Sequence, residues 1–168
     1  MTPPVVTLIA RSGTGKTTLL VKLVQEMKAR GYRVAAIKHD AHRFDIDHEG
    51  KDSWRLTKAG ADTMLIASPA KIAMVRQNTG DEPHLADMVA TYCRDVDIVL
   101  TEGFKRSSVP KIEVHRRACA APLLCRGEYH DPALLAVASD EAFDLDVPVY
   151  AINDSAGLCD LIENRLMS

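Results

Sequence analysis

One stretch near the start of the chain, Ala10–Thr17, constrains the fold more than any other part of the sequence. Its letters, ARSGTGKT, match the phosphate-binding pattern G-x-x-x-x-G-K-[ST] everywhere except the first position, where alanine replaces glycine. Gly13 and Gly15 allow backbone amides to converge on phosphate oxygens, because glycine has no Cβ in the way. Lys16 can reach the β- and γ-phosphates of a nucleotide, and the Thr17 hydroxyl can bind Mg²⁺.

The segments on either side of this loop fit the structural context that the pattern requires. Val5–Ala10 is a short β-branched apolar run that predicts a buried strand. A helix is predicted after the loop and ends near Gly31, because its apolar residues recur at helical spacing: Leu19, Leu20, Leu23, Val24 and Met27. Arg33–Lys38 predicts a second strand. Strand, helix and strand in this order form a βαβ unit with parallel pairing and a right-handed crossover.

The remaining periodic segments complete one three-layer α/β domain, a P-loop NTPase domain spanning residues 1–168, with a mainly parallel sheet. Residues 53–59 predict a short helix, and a hairpin follows, formed by Met64–Ala67 and Ile72–Val75. Further helices are expected around Leu85–Tyr92 and from Ser155 onward. Further strands are predicted at Asp97–Thr101, Lys111–Val114, Leu134–Ala138 and Val147–Ile152.

Charge and hydropathy exclude several kinds of partner. The chain has 21 basic and 23 acidic residues and therefore a net charge of −2. This balance excludes general electrostatic binding to nucleic acid, which requires an excess or a stripe of basic residues. No apolar run approaches the roughly 18 residues of a membrane span. The cysteines, Cys93, Cys119, Cys125 and Cys159, are scattered, as expected of reduced thiols. We therefore expect a cytoplasmic protein with no nucleic-acid or membrane partner.

A second acidic element belongs with the phosphate-binding loop. Mg²⁺ in P-loop proteins is steadied by a carboxylate at the end of a neighbouring buried strand. Glu102 follows the apolar run of Asp97–Thr101, where the carboxyl ends of parallel strands form the ligand crevice. We expect Glu102 to bind metal together with Thr17, and the amide of Gly103 to be free to contact a γ-phosphate. Asp97 opens the strand, at the wrong end for metal.

The polar segment between residues 39 and 52 combines histidines with carboxylates and admits three interpretations. It contains His39, His42 and His48 among Asp40, Asp45 and Asp47. These residue types suit a transition metal, although their spacing matches no closed zinc pattern. An exposed solvated loop is an equal alternative. In the third interpretation, the loop closes over a triphosphate, Asp45 or Asp47 orients an attacking water or holds metal-bound water, and Lys51 contacts a phosphate.

These motifs together resemble a known family, molybdopterin-guanine dinucleotide biosynthesis protein B. The P-loop is shared by a very large superfamily, whereas the block K-H-x-x-H-x-F-D-I-D followed by G-K-D-S, with E-G-F-K, is far more specific. The matching stretches are collinear and span almost the whole chain: Ser12–Leu19, Ile37–Ser53, Ala59–Asp62, Thr101–Lys105, Pro110–Val114, Val137–Asp140 and Ile152–Asp154.

The resemblance implies a small, usually dimeric GTP-binding protein with weak GTPase activity. It would assist the guanylyltransferase that couples GMP to molybdopterin, as an adaptor rather than the transferase itself, either by delivering nucleotide or by contacting molybdopterin or a molybdoenzyme. On this resemblance Thr17 and Glu102 hold Mg²⁺, and Lys16, Asp45 and Asp47 serve hydrolysis. The partner-facing surface comprises Phe104, Lys105 and the following loop. The phosphate-binding set comprises Ser12, Gly13, Thr14, Gly15, Lys16, Thr17, Thr18, Lys51 and Gly103.

Guanine recognition is the least defined part of the site. The base-binding motif N-K-x-D is absent, but Asn153 and Asp154 follow the last strand and can offer an amide and a carboxylate to a guanine edge. A helix cap is an equal interpretation of Asp154. Arg11 occupies a position where some dimeric relatives of this NTPase class carry a lysine that crosses to the partner's phosphate. A cation supplied in this way accelerates hydrolysis.

Three other classes of function fit parts of the pattern. A metallochaperone-type GTPase would use His39, His42 and His48 to hand over a transition metal. A small-molecule kinase would need a mobile lid with arginines over the triphosphate, for which Arg116, Arg117 and Arg126 are candidates. A pure binding module would use nucleotide only to order an interface.

Overall fold

The computed structural model describes residues 2–39 and 44–167. Within these residues the chain forms eight strands and four α-helices. The strands are β1 (Val5–Ala10), β2 (Val34–Lys38), β3 (Thr63–Ala67), β4 (Ile72–Arg76), β5 (Ile98–Glu102), β6 (Lys111–His115), β7 (Leu134–Ser139) and β8 (Val149–Ala151). The α-helices are α1 (Lys16–Ala29), α2 (Asp52–Lys58), α3 (Leu85–Tyr92) and α4 (Ser155–Ile162). None of the helices in the described ranges is long and apolar enough to cross a membrane.

The chain divides into two compact units. The first comprises residues 1–39 and 85–168, and the second comprises residues 40–84. The first unit contains a six-stranded sheet in the order β2-β5-β1-β6-β7-β8, in which every neighbouring pair is parallel. The predicted α/β class with a mainly parallel sheet is therefore confirmed. The second unit contains α2 and the antiparallel hairpin β3–β4, which the sequence also predicted.

The order of the first strands differs from the simplest βαβ arrangement. β1 and β2 are parallel, but β5 lies between them and pairs with both. The predicted direct pairing of β1 with β2 is therefore wrong. Insertion of β5 at this place sets Glu102 opposite Leu8, two residues before β1 ends and the phosphate-binding loop begins.

The sheet buries a different set of residues on each face. Val6 and Leu8 of β1 pack with the apolar side of α1, here Leu23 and Met27, and with Leu158 of α4. Ile9 points to the opposite face, where it packs with residues from the connection between β6 and β7. The alternation follows from the two-residue period of a strand, which sends successive side chains to opposite faces. α3 covers the same opposite face at Val99 of β5.

β6 carries a row of buried polar side chains, Lys111, Glu113 and His115, on the face that Ile9 also lines. Nζ of Lys111 lies 3.0 Å from Oδ2 of Asp131. The Glu113 carboxylate accepts hydrogen bonds from the amides of Leu124 and Cys125 at 2.6 and 2.9 Å. These contacts hold residues 116–133, the β6–β7 segment, against the sheet. The segment contains a 3-10 turn (Arg117–Cys119) and a π-helical turn (Leu124–Glu128).

An ion pair joins the amino ends of β2 and β5. Nη2 and Nε of Arg33 donate to the two carboxylate oxygens of Asp97 at 2.7 and 3.2 Å, and the Arg33 backbone amide donates at 2.7 Å. These hydrogen bonds favour the ionised carboxylate and lower the pKa of Asp97 to about 2. Asp97 is thus engaged in pairing strands, at the end of the sheet away from the phosphate-binding loop.

Replacement of Asp97 by Asn should give a protein whose deficit in stability depends on pH. A carboxylate with a depressed pKa stabilises the fold above its unfolded value, and this contribution is lost as the pH falls through the folded pKa. We therefore expect the Asp97→Asn variant to unfold at lower urea concentration than the parent at pH 7. The difference should shrink between pH 3.8 and about 2. Asp144→Asn, at an exposed position, is the control. A difference that stays constant with pH would contradict the assignment.

Candidate functional site

The phosphate-binding loop adopts the backbone conformation that its glycines permit. Gly13 and Gly15 have φ angles of +80° and +89°, in the left-handed region that residues with a Cβ rarely occupy. Gly15 precedes the first residue of α1, and its carbonyl accepts a hydrogen bond from the Leu19 amide at 3.0 Å. The free amides of the first helical turn therefore follow directly on the loop, an arrangement that favours anions.

The predicted phosphate-binding residues 12–18 run from the loop into the first turn of α1. Ser12, Gly13, Thr17 and Thr18 are exposed, whereas Thr14 is buried. The Thr14 hydroxyl donates to the carbonyl of Arg11 at 3.1 Å, which braces the loop internally. Thr14 can therefore serve an anion through its backbone, while its side chain maintains the shape of the loop.

Glu102 is buried beside the two side chains at the beginning of α1. The Thr17 hydroxyl donates to Oε2 of Glu102 at 2.8 Å, and Nζ of Lys16 lies 3.6 Å from Oε1. A buried carboxylate is costly unless it is paired, and these two partners compensate its charge. The structure thus brings Lys16, Thr17 and Glu102 together although Thr17 and Glu102 are 85 positions apart in the chain.

The donor set at this point suits Mg²⁺. Because the Thr17 hydroxyl gives its proton to Glu102, its lone pairs point away and remain available to a cation. Hydroxyl and carboxylate oxygens are the hard ligands that Mg²⁺ takes from proteins, usually one or two alongside substrate phosphates and water. Across residues 2–39 and 44–167, no group of three or more His, Cys, Asp or Glu side chains is placed to hold a metal ion.

Gly103 has a different role from the one expected. Its amide donates to the carbonyl of Leu8 at 3.1 Å, so the expectation that this amide is free for a γ-phosphate is wrong. The reason is that the parallel pairing of β1 and β5 continues one residue beyond Glu102. The glycine is required for another reason: its φ is +102°, and a Cβ would lie 2.9 Å from Cβ of His39.

Asn153 and Asp154 lie between β8 and α4, and both make intramolecular contacts. Oδ1 of Asp154 accepts from the amide of Gly157 at 2.9 Å and so caps α4. Oδ1 of Asn153 accepts from Nζ of Lys22 on α1 at 2.8 Å. The capping interpretation of Asp154 is therefore realised in the structure. Guanine contact by either residue stays a prediction.

The acidic residues of the polar segment belong to the second unit. Oδ1 of Asp47 accepts from the Ser53 hydroxyl at 3.0 Å and from the His48 amide at 2.9 Å, which fixes the turn before α2. Asp45 and Lys51 are exposed. Their predicted roles in hydrolysis and phosphate contact stay predictions. His42 lies outside the described residues, so the structure gives no account of the predicted histidine cluster.

Two arginines contact the loop and its surroundings within the first unit. Arg11 forms an ion pair with Glu128 and donates from Nε to the carbonyl of Pro122 at 3.3 Å. Nε of Arg116 donates to the Thr14 carbonyl at 2.8 Å. Sequence reasoning considered Arg116 only as part of a kinase lid. Because Arg116 and Thr14 are 102 positions apart in the chain, no local pattern could have assigned Arg116 to the loop.

In this parallel sheet the first strand leads into a glycine-containing loop, and a lysine and a threonine begin the helix that follows. This arrangement defines a protein of the P-loop NTPase fold. The particular family follows from comparison with known sequences. The sequence pattern of the family molybdopterin guanine dinucleotide synthesis protein B matches residues 5–140. This chain belongs to that family.

Individual relatives match the sequence of this protein along nearly its whole length. The molybdopterin-guanine dinucleotide biosynthesis adapter protein of Haemophilus influenzae is 39% identical over 97% of this chain and 89% of its own length. The protein of the same name from Escherichia coli is 38% identical over 95% and 91%. A crystal structure of molybdopterin-guanine biosynthesis protein B superposes with a TM-score of 0.76 at 26% identity, covering 98% of this chain and 99% of the other.

Proposed function

We propose that this chain is a GTP-binding adapter that assists the attachment of a guanylyl group to molybdopterin. Its relatives from Haemophilus influenzae and Escherichia coli are adapter proteins of molybdopterin-guanine dinucleotide biosynthesis, and they match almost end to end. The observation that carries the nucleotide part of the proposal is the contact of Thr17 and Lys16 with the buried carboxylate of Glu102. Each of these residues has a defined task on a magnesium nucleoside triphosphate.

The chemistry proposed for the site is weak hydrolysis of GTP. The amides of residues 13–18 bind phosphate oxygens, and Lys16 turns from Glu102 toward the β- and γ-phosphates. Thr17 and Glu102 would hold Mg²⁺, and the metal would supply positive charge beside the phosphates. Asp45 or Asp47 would hold metal-bound water or orient an attacking water, and Lys51 would add a phosphate contact. Asn153 and Asp154 contact the guanine.

The proposed partners are the molybdenum cofactor guanylyltransferase, molybdopterin or a molybdoenzyme, and a second copy of this chain. The homodimer is supported by exposed apolar side chains that share one face of the hairpin in the second unit, namely Leu65, Ile72 and Met74. Contiguous exposed apolar surface of this kind marks protein interaction sites. Lys105, exposed in the loop after β5, is proposed to face the transferase.

Replacement of Lys16 by Ala should weaken nucleotide binding. Loss of charge-assisted contacts costs about 1.5–3 kcal/mol, which corresponds to a roughly 10- to 150-fold higher Kd for Mg²⁺-GTP. The measurement is equilibrium binding of a fluorescent GTP analogue. Lys28→Ala, on the last turn of the same helix, is the matched control and should bind as the parent does. An unchanged Kd for Lys16→Ala would refute the site.

Replacement of Glu102 by Gln should remove the advantage that Mg²⁺ gives to GTP binding. We expect the ratio of the Kd in EDTA to the Kd in Mg²⁺ to fall toward one. The reason is that the neutral amide lacks the negative charge of the carboxylate, the group through which proteins usually bind Mg²⁺. Affinity in EDTA should be retained, because a negative charge beside the phosphates is removed. Glu26→Gln on α1 is the control. Normal magnesium dependence in Glu102→Gln would show that this carboxylate does not hold the metal.

The adapter role is tested in a reaction that contains molybdopterin, Mg²⁺-GTP and the molybdenum cofactor guanylyltransferase. Addition of the parent chain should raise the rate of dinucleotide formation, and Lys16→Ala should not. If neither protein stimulates at saturating GTP and transferase, the adapter role is wrong. If Lys16→Ala stimulates as the parent does, nucleotide binding by this chain has no part in it.

A further inference from the structure

Arg116 lies against the outside of the phosphate-binding loop. It follows the last residue of β6, and its Nε donates to the carbonyl of Thr14 at 2.8 Å. A Cβ placed on Gly15 would lie 3.3 Å from Nη2 of Arg116, so the guanidinium packs directly against the backbone of Gly15. Two consecutive residues of the loop are therefore in contact with one arginine side chain.

The geometry of the peptide bond decides what this contact does. The bond between Thr14 and Gly15 is trans, and in a planar trans peptide the carbonyl and the next amide point in opposite directions. A hydrogen bond from Arg116 to the Thr14 carbonyl therefore turns the Gly15 amide to the other side of the loop. A bonded carbonyl also polarises its own peptide group, so the amide becomes a stronger donor. Glycine at position 15 leaves this peptide free to rotate unless a partner holds it.

The arginine itself is held by the strands behind it. Nη1 of Arg116 lies 3.8 Å from Oδ2 of Asp140, and Oδ1 of the same carboxylate accepts from the Arg117 amide at 2.8 Å. The preceding residue, His115, is buried, with ring nitrogens 3.3 Å from the Ser139 hydroxyl and 3.0 Å from the Ala121 carbonyl. Arg116 is thus fixed at the start of the β6–β7 segment.

We propose that Arg116 is a positioning residue of the nucleotide site, which orients the Gly15 amide toward a bound phosphate and ties the loop to the β6–β7 segment. This inference rests on the proposed nucleotide binding. Because coupling between two sites is reciprocal, a nucleotide that fixes the Gly15 peptide also stabilises Arg116 and the residues that follow it.

Two substitutions of Arg116 distinguish the effect of its hydrogen bond from the effect of its charge. Glutamine carries an amide nitrogen at the same distance along its side chain as Nε of arginine, whereas methionine has a similar length and no donor. We expect Arg116→Met to raise the Kd of Mg²⁺-GTP about tenfold, the order for loss of one charge-assisted hydrogen bond. Arg116→Gln should retain most of the affinity. Arg117→Met, which alters an exposed neighbour that contacts Glu141, is the control and should bind normally.

The comparison of GTP with GDP adds a second test. P-loop amides cradle the α- and β-phosphates, which the two nucleotides share, so Arg116→Met should weaken both by the same factor. A loss confined to GTP would mean that the arginine acts on the γ-phosphate, and it would overturn the positioning role. Equal losses in Arg116→Gln and Arg116→Met would also overturn it, since charge rather than orientation would then account for the effect.

Hydrogen exchange supplies a readout that a purely structural arginine would not change. In the parent, GTP should slow exchange of the amides of residues 117–128, and in Arg116→Met this slowing should be lost. Persistence of the slowing in Arg116→Met would refute the coupling. Failure of the parent chain to bind any nucleotide would instead refute the proposed function. Normal binding by every variant at position 116 would refute only the present inference.

Discussion

The site depends on one strand contact, the parallel pairing of β5 with β1. This pairing sets Glu102 opposite Leu8, so a carboxylate and the loop that follows β1 meet at the same edge of the sheet. The Lys16 ammonium then balances the carboxylate charge and the Thr17 hydroxyl donates a hydrogen bond to it, which offsets the cost of burying that charge. The pairing continues one residue beyond Glu102, so the Gly103 amide donates its hydrogen bond to Leu8 and is not available to a ligand.

The opposite side of β1 explains how the loop is kept in shape. β6 presents Lys111, Glu113 and His115 to a face that helices usually cover with apolar side chains. Their partners are backbone groups and a carboxylate of the β6–β7 segment, so that irregular segment is anchored in place of a helix. Arg116 is the first residue of this segment and donates a hydrogen bond to the Thr14 carbonyl. The buried polar side chains of β6 therefore help to hold the phosphate-binding loop in its conformation.

Local chemistry was sufficient to predict the elements. The β-branched run at Val5–Ala10 and the apolar stripe of α1 both appear where the sequence indicated, and the 64–75 hairpin forms as predicted. β8 is shorter than expected and starts at Val149, because Pro148 has no amide to donate to the sheet.

Strand order and long-range contacts could not be predicted in the same way. Nothing near residue 34 indicates that β5 separates β2 from β1, since that order is decided by packing across about sixty residues. The hydrogen bond from Arg116 to Thr14 likewise depends on packing between residues that are far apart in the chain. The carboxylate partner of Thr17 was predictable because P-loop chemistry demands one at the carboxyl end of a neighbouring buried strand, where the sequence places Glu102.

Calorimetric titration of Mg²⁺-GTP and Mg²⁺-ATP into the metal-free parent protein tests the central claim most directly. We expect saturable binding of one nucleotide per chain with a clear preference for GTP, and a roughly 10- to 150-fold weaker affinity in Lys16→Ala. Equal affinity for the two nucleotides, or a preference for ATP, would contradict the role in guanylyl transfer while leaving the phosphate-binding loop intact. Absence of heat with both nucleotides would contradict the account of the site itself.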